Sequence, residues 1–422
     1  MINCATNENA LEIEVFETSA SGNLMKKITT FSQGDTLITI ALNTEQKFQT
    51  ITGFGGSFTE ASASLLNRLS EKNRNKVLEA YFSESGANYS LTRTHIASCD
   101  FSLSNYTYAK VPNDMALEYF TIEDDKSDLI PMILKAKSIS KDSFNIIASP
   151  WTCPPWMKDN NHYVGGKLLP QFNDAFALYF SKYLNAYKKE GIDIWGVTVI
   201  NEPHGNGNNW ESTLFSPKDM TDFVQNHLGP KLEKDGWENT KILGYDQNRA
   251  GIKEWADAMY RDEAASKYFD GMAIHWYEST YEVFPKDLQY AHNKAPNKYL
   301  IETEGCIDSE IPHWQDDAWY WKKEATDWGW DWASEQDKYL HPKYAAVNRY
   351  ANDIIGCLNN YVDGWVDWNM VLDRQGGPNW FKNWCIAPVI VDPEKDEVYF
   401  TPLYYVMSHF SKFMRPGAVK IG

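Results

Sequence analysis

Two apolar runs in this 422-residue chain each end in a glutamate: Val-Ile-Asn-Glu-Pro at Val199 to Pro203, and Tyr-Leu-Ile-Glu-Thr-Glu-Gly-Cys at Tyr299 to Cys306. Two carboxyls held across one cavity can divide the work at an acetal carbon. One gives a proton to the leaving oxygen while the other attacks the carbon or activates water. Glu202 stands directly before Pro203, which stops the run from continuing as a strand and projects the carboxyl outward. The second run offers two acids, Glu302 and Glu304, and their i, i+2 spacing sends both to one side of an extended strand. Periodicity does not choose between them. Glu304 lies nearer the C-terminal end and Gly305 leaves room beside it, so Glu304 is favoured as nucleophile and Glu302 as a deeper structural carboxylate.

With the two carboxyls about 5 to 5.5 Å apart, no water fits between sugar and carboxylate, and the reaction retains anomeric configuration. Glu304 then attacks the anomeric carbon. Glu202 starts protonated, donates to the leaving oxygen, and serves as base toward water once the ester has formed. Asn201 is placed to hold a sugar hydroxyl next to the reacting carbon. His275-Trp276-Tyr277 closes another apolar run, where Tyr277 could hydrogen-bond Glu304 and help it stay ionised. A lone histidine is more often interior than catalytic, so His275 is given a positioning role.

These residues need a scaffold that gathers strand ends. From Phe48 onward short apolar runs alternate with helical stretches, the pattern of repeated βα units. Eight strands are expected, at Ile51 to Gly55, Tyr89 to Thr94, Asn145 to Ser149, Ile194 to Val199, Ile242 to Tyr245, Met272 to His275, Tyr299 to Thr303 and Gly364 to Trp368. Helical patterns between them include Glu60 to Leu69, Phe172 to Lys189, Pro217 to Glu233 and Lys343 to Asn359. The expected class is α/β, a (β/α)8 TIM barrel with its chemistry at the C-terminal strand ends.

Ahead of the barrel, Leu11, Ile13 and Val15 alternate, as do Leu37 to Leu42, with turns at Ser21-Gly22-Asn23 and Gln33-Gly34-Asp35. Three regions are therefore expected. Residues 1–47 form N-terminal strands of a small flanking β-sandwich, 48–412 the catalytic barrel, and 413–422 the start of its C-terminal strands, the sandwich reading as incomplete at that end. Long loops run from Phe101 to Asp114, His204 to Ser216 and Ile307 to Lys343. The last holds Trp314, Trp319, Trp321, Trp328, Trp330 and Trp332, too aromatic for a disordered segment. It is read as a lid or wall beside the substrate, with a stabilising helical arm as the alternative.

A net charge of −17 argues against a nucleic-acid groove or a polybasic membrane patch. Six cysteines show no CxxC or His-rich metal pattern, so neither a metal nor any other cofactor is expected. No apolar run is long enough for a transmembrane segment and no leader follows Met1. On that reading the chain is cytoplasmic if complete and secreted if a leader has been removed.

The segments Gly53-Phe-Gly-Gly-Ser-Phe-Thr-Glu, Ala97-Ser-Cys-Asp-Phe-Ser, Ala148-Ser-Pro-Trp-Thr-Cys-Pro-Pro-Trp-Met-Lys, Asn201-Glu-Pro, His275-Trp-Tyr, Thr303-Glu-Gly-Cys and Gly364 to Trp380 together resemble glycoside hydrolase family 30, in particular its glucosylceramidase branch. The resemblance spans nearly the whole chain. It implies a retaining barrel hydrolase with Glu202 as acid/base and Glu304 as nucleophile. It also implies a glucose pocket of Glu60, Trp151, Asn201, Trp368 and Asn379, with Tyr277 beside the nucleophile. The implied substrate is a terminal β-glucoside, glucosylceramide first, met by transient contact with a lipid surface. A β-1,6-glucanase of the same family is the alternative, and a non-catalytic carbohydrate-binding barrel is a remote one. The chain departs from the family pattern at Glu60, where Asp is expected in animal enzymes, and in the Trp-rich segment after Glu304. Oligomeric state, pH optimum and leaving group stay open.

Overall fold

The computed structural model describes residues 13–31, 39–308, 316–326 and 333–422. Eight strands close into a parallel barrel: β1 (Gly53–Phe58), β2 (Leu91–Ile96), β3 (Asn145–Pro150), β4 (Gly196–Thr198), β5 (Lys241–Asn248), β6 (Gly271–His275), β7 (Tyr299–Glu304) and β8 (Gly364–Asn369). Each strand pairs with its sequence neighbour, and β8 returns to β1. All eight expected strands are present. The first two begin two residues later than expected: Ile51 and Thr52 bond to Ala418 and Asp363 before the first ladder starts, and Tyr89 bonds back to Tyr81 before the second. The glycines of β1 have a steric reason: a Cβ on Gly55 would run into the Leu91 carbonyl of β2.

Helices cover the barrel. Glu60–Arg68 is capped by Thr59, whose hydroxyl accepts the Ser62 N–H, and Asn173–Lys189 and Ala346–Asn359 follow the apolar periodicity closely. The expected helix from Pro217 passes through one π-helical turn at Val224–Leu228 before ending at Lys234.

Inside the barrel the side chains are layered. Leu91, Ile147, Leu243, Ala273, Ile301 and Val366 form an apolar plug. Two residues further along five of those strands, the same inward face carries Arg93, Ser149, His275, Thr303 and Trp368, all buried. The polar layer thus sits between the plug and the C-terminal mouth.

The chain ends form small antiparallel sheets. Val15–Glu17 pairs with Lys26–Ile28 around the expected turn at Gly22, whose φ is +99°, and Lys47–Thr50 pairs with Val419–Ile421. The strand expected through Thr39 to Leu42 is not formed: these residues are irregular and exposed, with no ladder partner among the described residues. Leu11, Leu37, Ile38, the Gln33-Gly34-Asp35 turn, Trp314, Trp328, Trp330 and Trp332 lie outside the described residues. No helix among the described residues is long and apolar enough to cross a membrane.

At the barrel floor Asp363 joins three strands. Its carboxyl accepts the Thr52 hydroxyl at 3.0 Å and the Leu300 N–H at 3.1 Å. Burial pushes it from 3.8 up to about 7, opposed by those two hydrogen bonds. A carboxyl raised in the folded state stabilises fully below its unfolded value, and that contribution is lost as pH rises through the folded one. Asp363→Asn should cost about 1–3 kcal/mol at pH 5, because the amide cannot accept both bonds. The deficit against the parent should shrink between pH 5 and 8 in urea denaturation. A deficit that is flat or grows with pH would contradict this account.

Candidate active site

A cleft of about 890 Å³ opens at the C-terminal mouth, within the range of small-molecule sites. Glu202 and Glu304 both line it, with Trp151, Asn201, Tyr277 and Trp368. Glu202 follows β4 in a turn with φ of +48°, its N–H bonded to the Asp246 carbonyl at 2.9 Å. A left-handed glutamate is uncommon, and such strain concentrates where function requires a particular direction.

The two acids of β7 separate. The expected common side for Glu302 and Glu304 is overturned by a register shift between them, which places the two carboxyls in different surroundings. Glu302 meets Arg249 at 2.7 Å, and Arg249 in turn meets Asp353 on the Ala346–Asn359 helix at 2.7 Å. Burial pushes Glu302 up to about 8 against the pull of Arg249. Glu304 turns into the cleft, where Arg93 donates to one oxygen and the Tyr277 hydroxyl to the other at 3.0 Å. Gly305 does leave room, for the Trp276 ring: a Cβ there would meet it at 2.9 Å.

Beneath the pair lies a buried charge cluster. Arg93 donates to Asp246 at 2.8 Å, to Asn201 at 2.8 Å and to Ser149 at 3.0 Å, besides Glu304. Asp246 also accepts Thr198 at 2.6 Å, Thr303 at 2.7 Å and His275 at 3.0 Å. Burial would raise Asp246, but Arg93 and His275 outweigh it and hold the carboxyl far below the usual range. His275 reaches up to Glu202, its Nδ1 3.5 Å from Oε1. Burial alone would depress the imidazole; the charge of Glu304, the hydrogen bond to Asp246 and the nearness of Glu202 push it up to about 10. Glu304 itself lies above its ordinary value, raised chiefly by burial and also by Glu202, with His275 and Arg93 opposing.

The remaining expected residues divide. Trp151 and Trp368 stack on one another with centroids 5.1 Å apart, and the Arg93 guanidinium lies 4.8 Å from the Trp151 ring. Glu60 is not among the cleft-lining residues. It is half-buried and accepts the Leu103 N–H at 3.1 Å; burial, helped by the charges of Asp128 and Asp125, raises it to about 7. Asn379 is also off the lining. Its amide clasps the backbone of Asn383, which does line the cleft.

Three residues here were not singled out from the sequence. Asp100 lines the cleft with one buried oxygen lacking a hydrogen-bond partner; burial, helped by Glu304, Glu211 and Glu202, holds it well above the usual carboxylate range. It lies inside the quoted Ala97 to Ser102 segment. Arg93 and Asp246 are the other two, and a charged residue within an apolar strand was the available signal, since such residues are almost never fully buried unpaired.

The segment from Ile307 to Lys343 divides between both readings. Ala333, Ser334, Asp337, Leu340 and His341 wall the cleft, whereas Trp319 and Trp321 pack against the main core. Among the described residues, one group of side chains has ligand atoms close enough for a metal, Glu302, Asp353 and Cys357, and the Arg249 guanidinium already pairs with both carboxylates.

A parallel eight-stranded barrel with two carboxyls at the mouth of such a cleft is the architecture of a glycoside hydrolase. The glycosyl hydrolase family 30 TIM-barrel domain matches residues 51–414, and the chain belongs to that family, in its glucosylceramidase branch. It is 35% identical over 391 residues to a lysosomal acid glucosylceramidase of Mus musculus, covering 90% of this chain and 71% of that protein. Among solved structures, SrfJ from Salmonella typhimurium superposes with a TM-score of 0.82 at 31% identity, covering 95% of this chain and 84% of that one. An endo-β1,6-glucanase superposes with a TM-score of 0.80 at 29% identity, covering 97% and 86%.

Asp246→Asn leaves two buried cations short of a counter-charge. It should destabilise the fold by about 3–5 kcal/mol in urea denaturation, the usual cost of breaking a buried ion pair from one side. A change below about 1 kcal/mol would show that the cluster does not depend on this carboxylate.

Proposed function

We propose that the chain hydrolyses terminal β-glucosidic bonds with retention of configuration, with glucosylceramide as its leading substrate. Glu304 is the nucleophile and Glu202 the acid/base. The observation that carries this is the contrast within β7: only Glu304 of its two acids opens onto the cleft, oriented from both sides by Arg93 and Tyr277. Charge balance supports the division of roles. Arg93 and His275 face Asp246 and Glu304 beneath the sugar and offset those two carboxylates, and Glu202 is the acid that gives its proton to the leaving oxygen. As the glycosyl ester forms, the charge on Glu304 vanishes, and Glu202 then serves as the base toward water.

The sugar bound at the reacting carbon rests against Trp151 and Trp368 and is held by Asn201 and Asp100, which line the cleft with them. Asn379 acts through the Asn383 loop, and Glu60 through the loop at Leu103. We place the catalytic barrel at residues 48–412, with 1–47 and 413–422 contributing flanking strands. Substrate approach from a lipid surface fits the glucosylceramide reading.

A second reading is favoured by the outer wall. Asn206, Asn209, Glu278, Asp337 and Lys382 line it, and such groups hold further sugar units as readily as Trp210 and Phe381 hold an apolar aglycone. An endo-β1,6-glucanase is among the structural neighbours. The ratio of kcat/KM for glucose release from detergent-dispersed glucosylceramide and from a β-1,6-linked gluco-oligosaccharide separates the two. The leading reading predicts a ratio far above one; a ratio far below one moves the chain to the glucan reading.

Glu202→Gln should lower kcat/KM, which reports formation of the glycosyl ester, by about 10²–10⁴-fold on substrates whose leaving group needs a proton, and much less on aryl glucosides with acidic phenols. Equal losses on both would remove Glu202 from the acid role.

A further inference from the structure

Two thiols meet in the wall of the cleft. Cys306 follows Gly305 at the end of β7, and Cys385 belongs to the short strand Cys385–Ile386, which runs antiparallel to Ile307–Asp308 with Ile307 opposite Ile386. Their sulfurs are 3.2 Å apart, both residues are buried, and no covalent bond joins them. A disulfide spans about 2.05 Å between sulfurs, so closing the gap takes about 1 Å of combined movement in a region already pinned by backbone pairing. Cys99 and Cys153, by contrast, are buried with Ser102 and Thr213 as their side-chain hydrogen-bond partners.

We propose that Cys306 and Cys385 form a redox modification site, at which a hydroperoxide entering the cleft converts the dithiol to a disulfide and slows the enzyme reversibly. Cys385 lines the cleft, so a small oxidant reaches it without unfolding of the barrel. The Cys385 thiolate attacks hydrogen peroxide, giving a sulfenic acid and hydroxide. The Cys306 thiolate then attacks that sulfur, the S–S bond forms, and a second hydroxide leaves. The two thiol protons neutralise the two hydroxides. In sum, two thiols and one peroxide give one disulfide and two waters.

The consequence for the glycosidase centre follows from one hydroxyl. Tyr277 donates to Glu304 at 3.0 Å, and the same oxygen lies 3.5 Å from the Cys306 sulfur. Drawing that sulfur toward Cys385 withdraws it from Tyr277 and shifts the backbone two residues beyond Glu304. This effect rests on the proposed role of Glu304; formation of the cross-link does not.

The test treats the full chain with hydrogen peroxide at mildly alkaline pH, maps peptides by mass, and compares the ratio of oxidised to reduced activity on an aryl β-glucoside before and after dithiothreitol. The expected result is a Cys306–Cys385 cross-linked peptide together with a fall in that ratio of about tenfold or more, the scale of one lost hydrogen bond to a charged group, restored by reduction. Cys306→Ser and Cys385→Ser, each normalised to its own reduced activity, should keep a ratio near one. Absence of the cross-linked peptide from the oxidised parent overturns the site. A cross-link without loss of activity overturns the regulatory consequence. Equal losses in the parent and both variants place the sensitivity elsewhere.

Discussion

The structure of the site depends on one buried ion pair, Arg93 with Asp246, held 2.8 Å apart inside the barrel with neither side chain exposed. A lone charge at that depth would be expelled or neutralised. Each partner makes the other tolerable, and the hydroxyls of Thr198, Thr303 and Ser149 satisfy what remains. The pair then sets the next layer. Arg93 orients Glu304 and Asn201 from below, and Asp246 accepts a hydrogen bond from His275 beneath Glu202. The cleft carboxyls are therefore held by an electrostatic floor as well as by the loops that carry them.

That floor requires breaks in strand regularity. Register shifts occur in β5 between Tyr245 and Gln247, in β7 between Glu302 and Glu304, and in β8 between Asp367 and Asn369. In β5, Tyr245 and Asp246 both have positive φ, and Asp246 turns onto Arg93. In β7 the shift divides two acids that a regular strand would present together. Bulges at barrel rims re-aim side chains in this way, and they let a single strand supply one carboxylate to the helical layer through Arg249 and another to the cleft.

This explains what could be read from the residues and what could not. The eight strands, the barrel and the glutamates at the ends of β4 and β7 follow from periodicity, chain order and Pro203, all local features. Tyr277 as partner of Glu304, and His275 in support, follow from their place at the end of β6. The different fates of Glu302 and Glu304 did not follow, because a bulge has no signature in alternation. Glu60 is pointed to by the family resemblance and no local signal marks Asp100, yet Glu60 accepts the Leu103 N–H off the cleft lining while Asp100 lines the cleft. Arg93 and Asp246 needed the closed barrel to bring β2 and β5 together across it.

The central claim is that Glu304 alone of the two β7 acids attacks the sugar. The most direct measurement is covalent trapping with a 2-deoxy-2-fluoro-β-glucosyl fluoride, followed by peptide mapping of the inactivated protein. Fluorine slows departure of the sugar from the enzyme, so the ester should accumulate and be found on Glu304. An ester on Glu302 or Glu202, or turnover that gives the inverted anomer with no ester formed, would contradict the account.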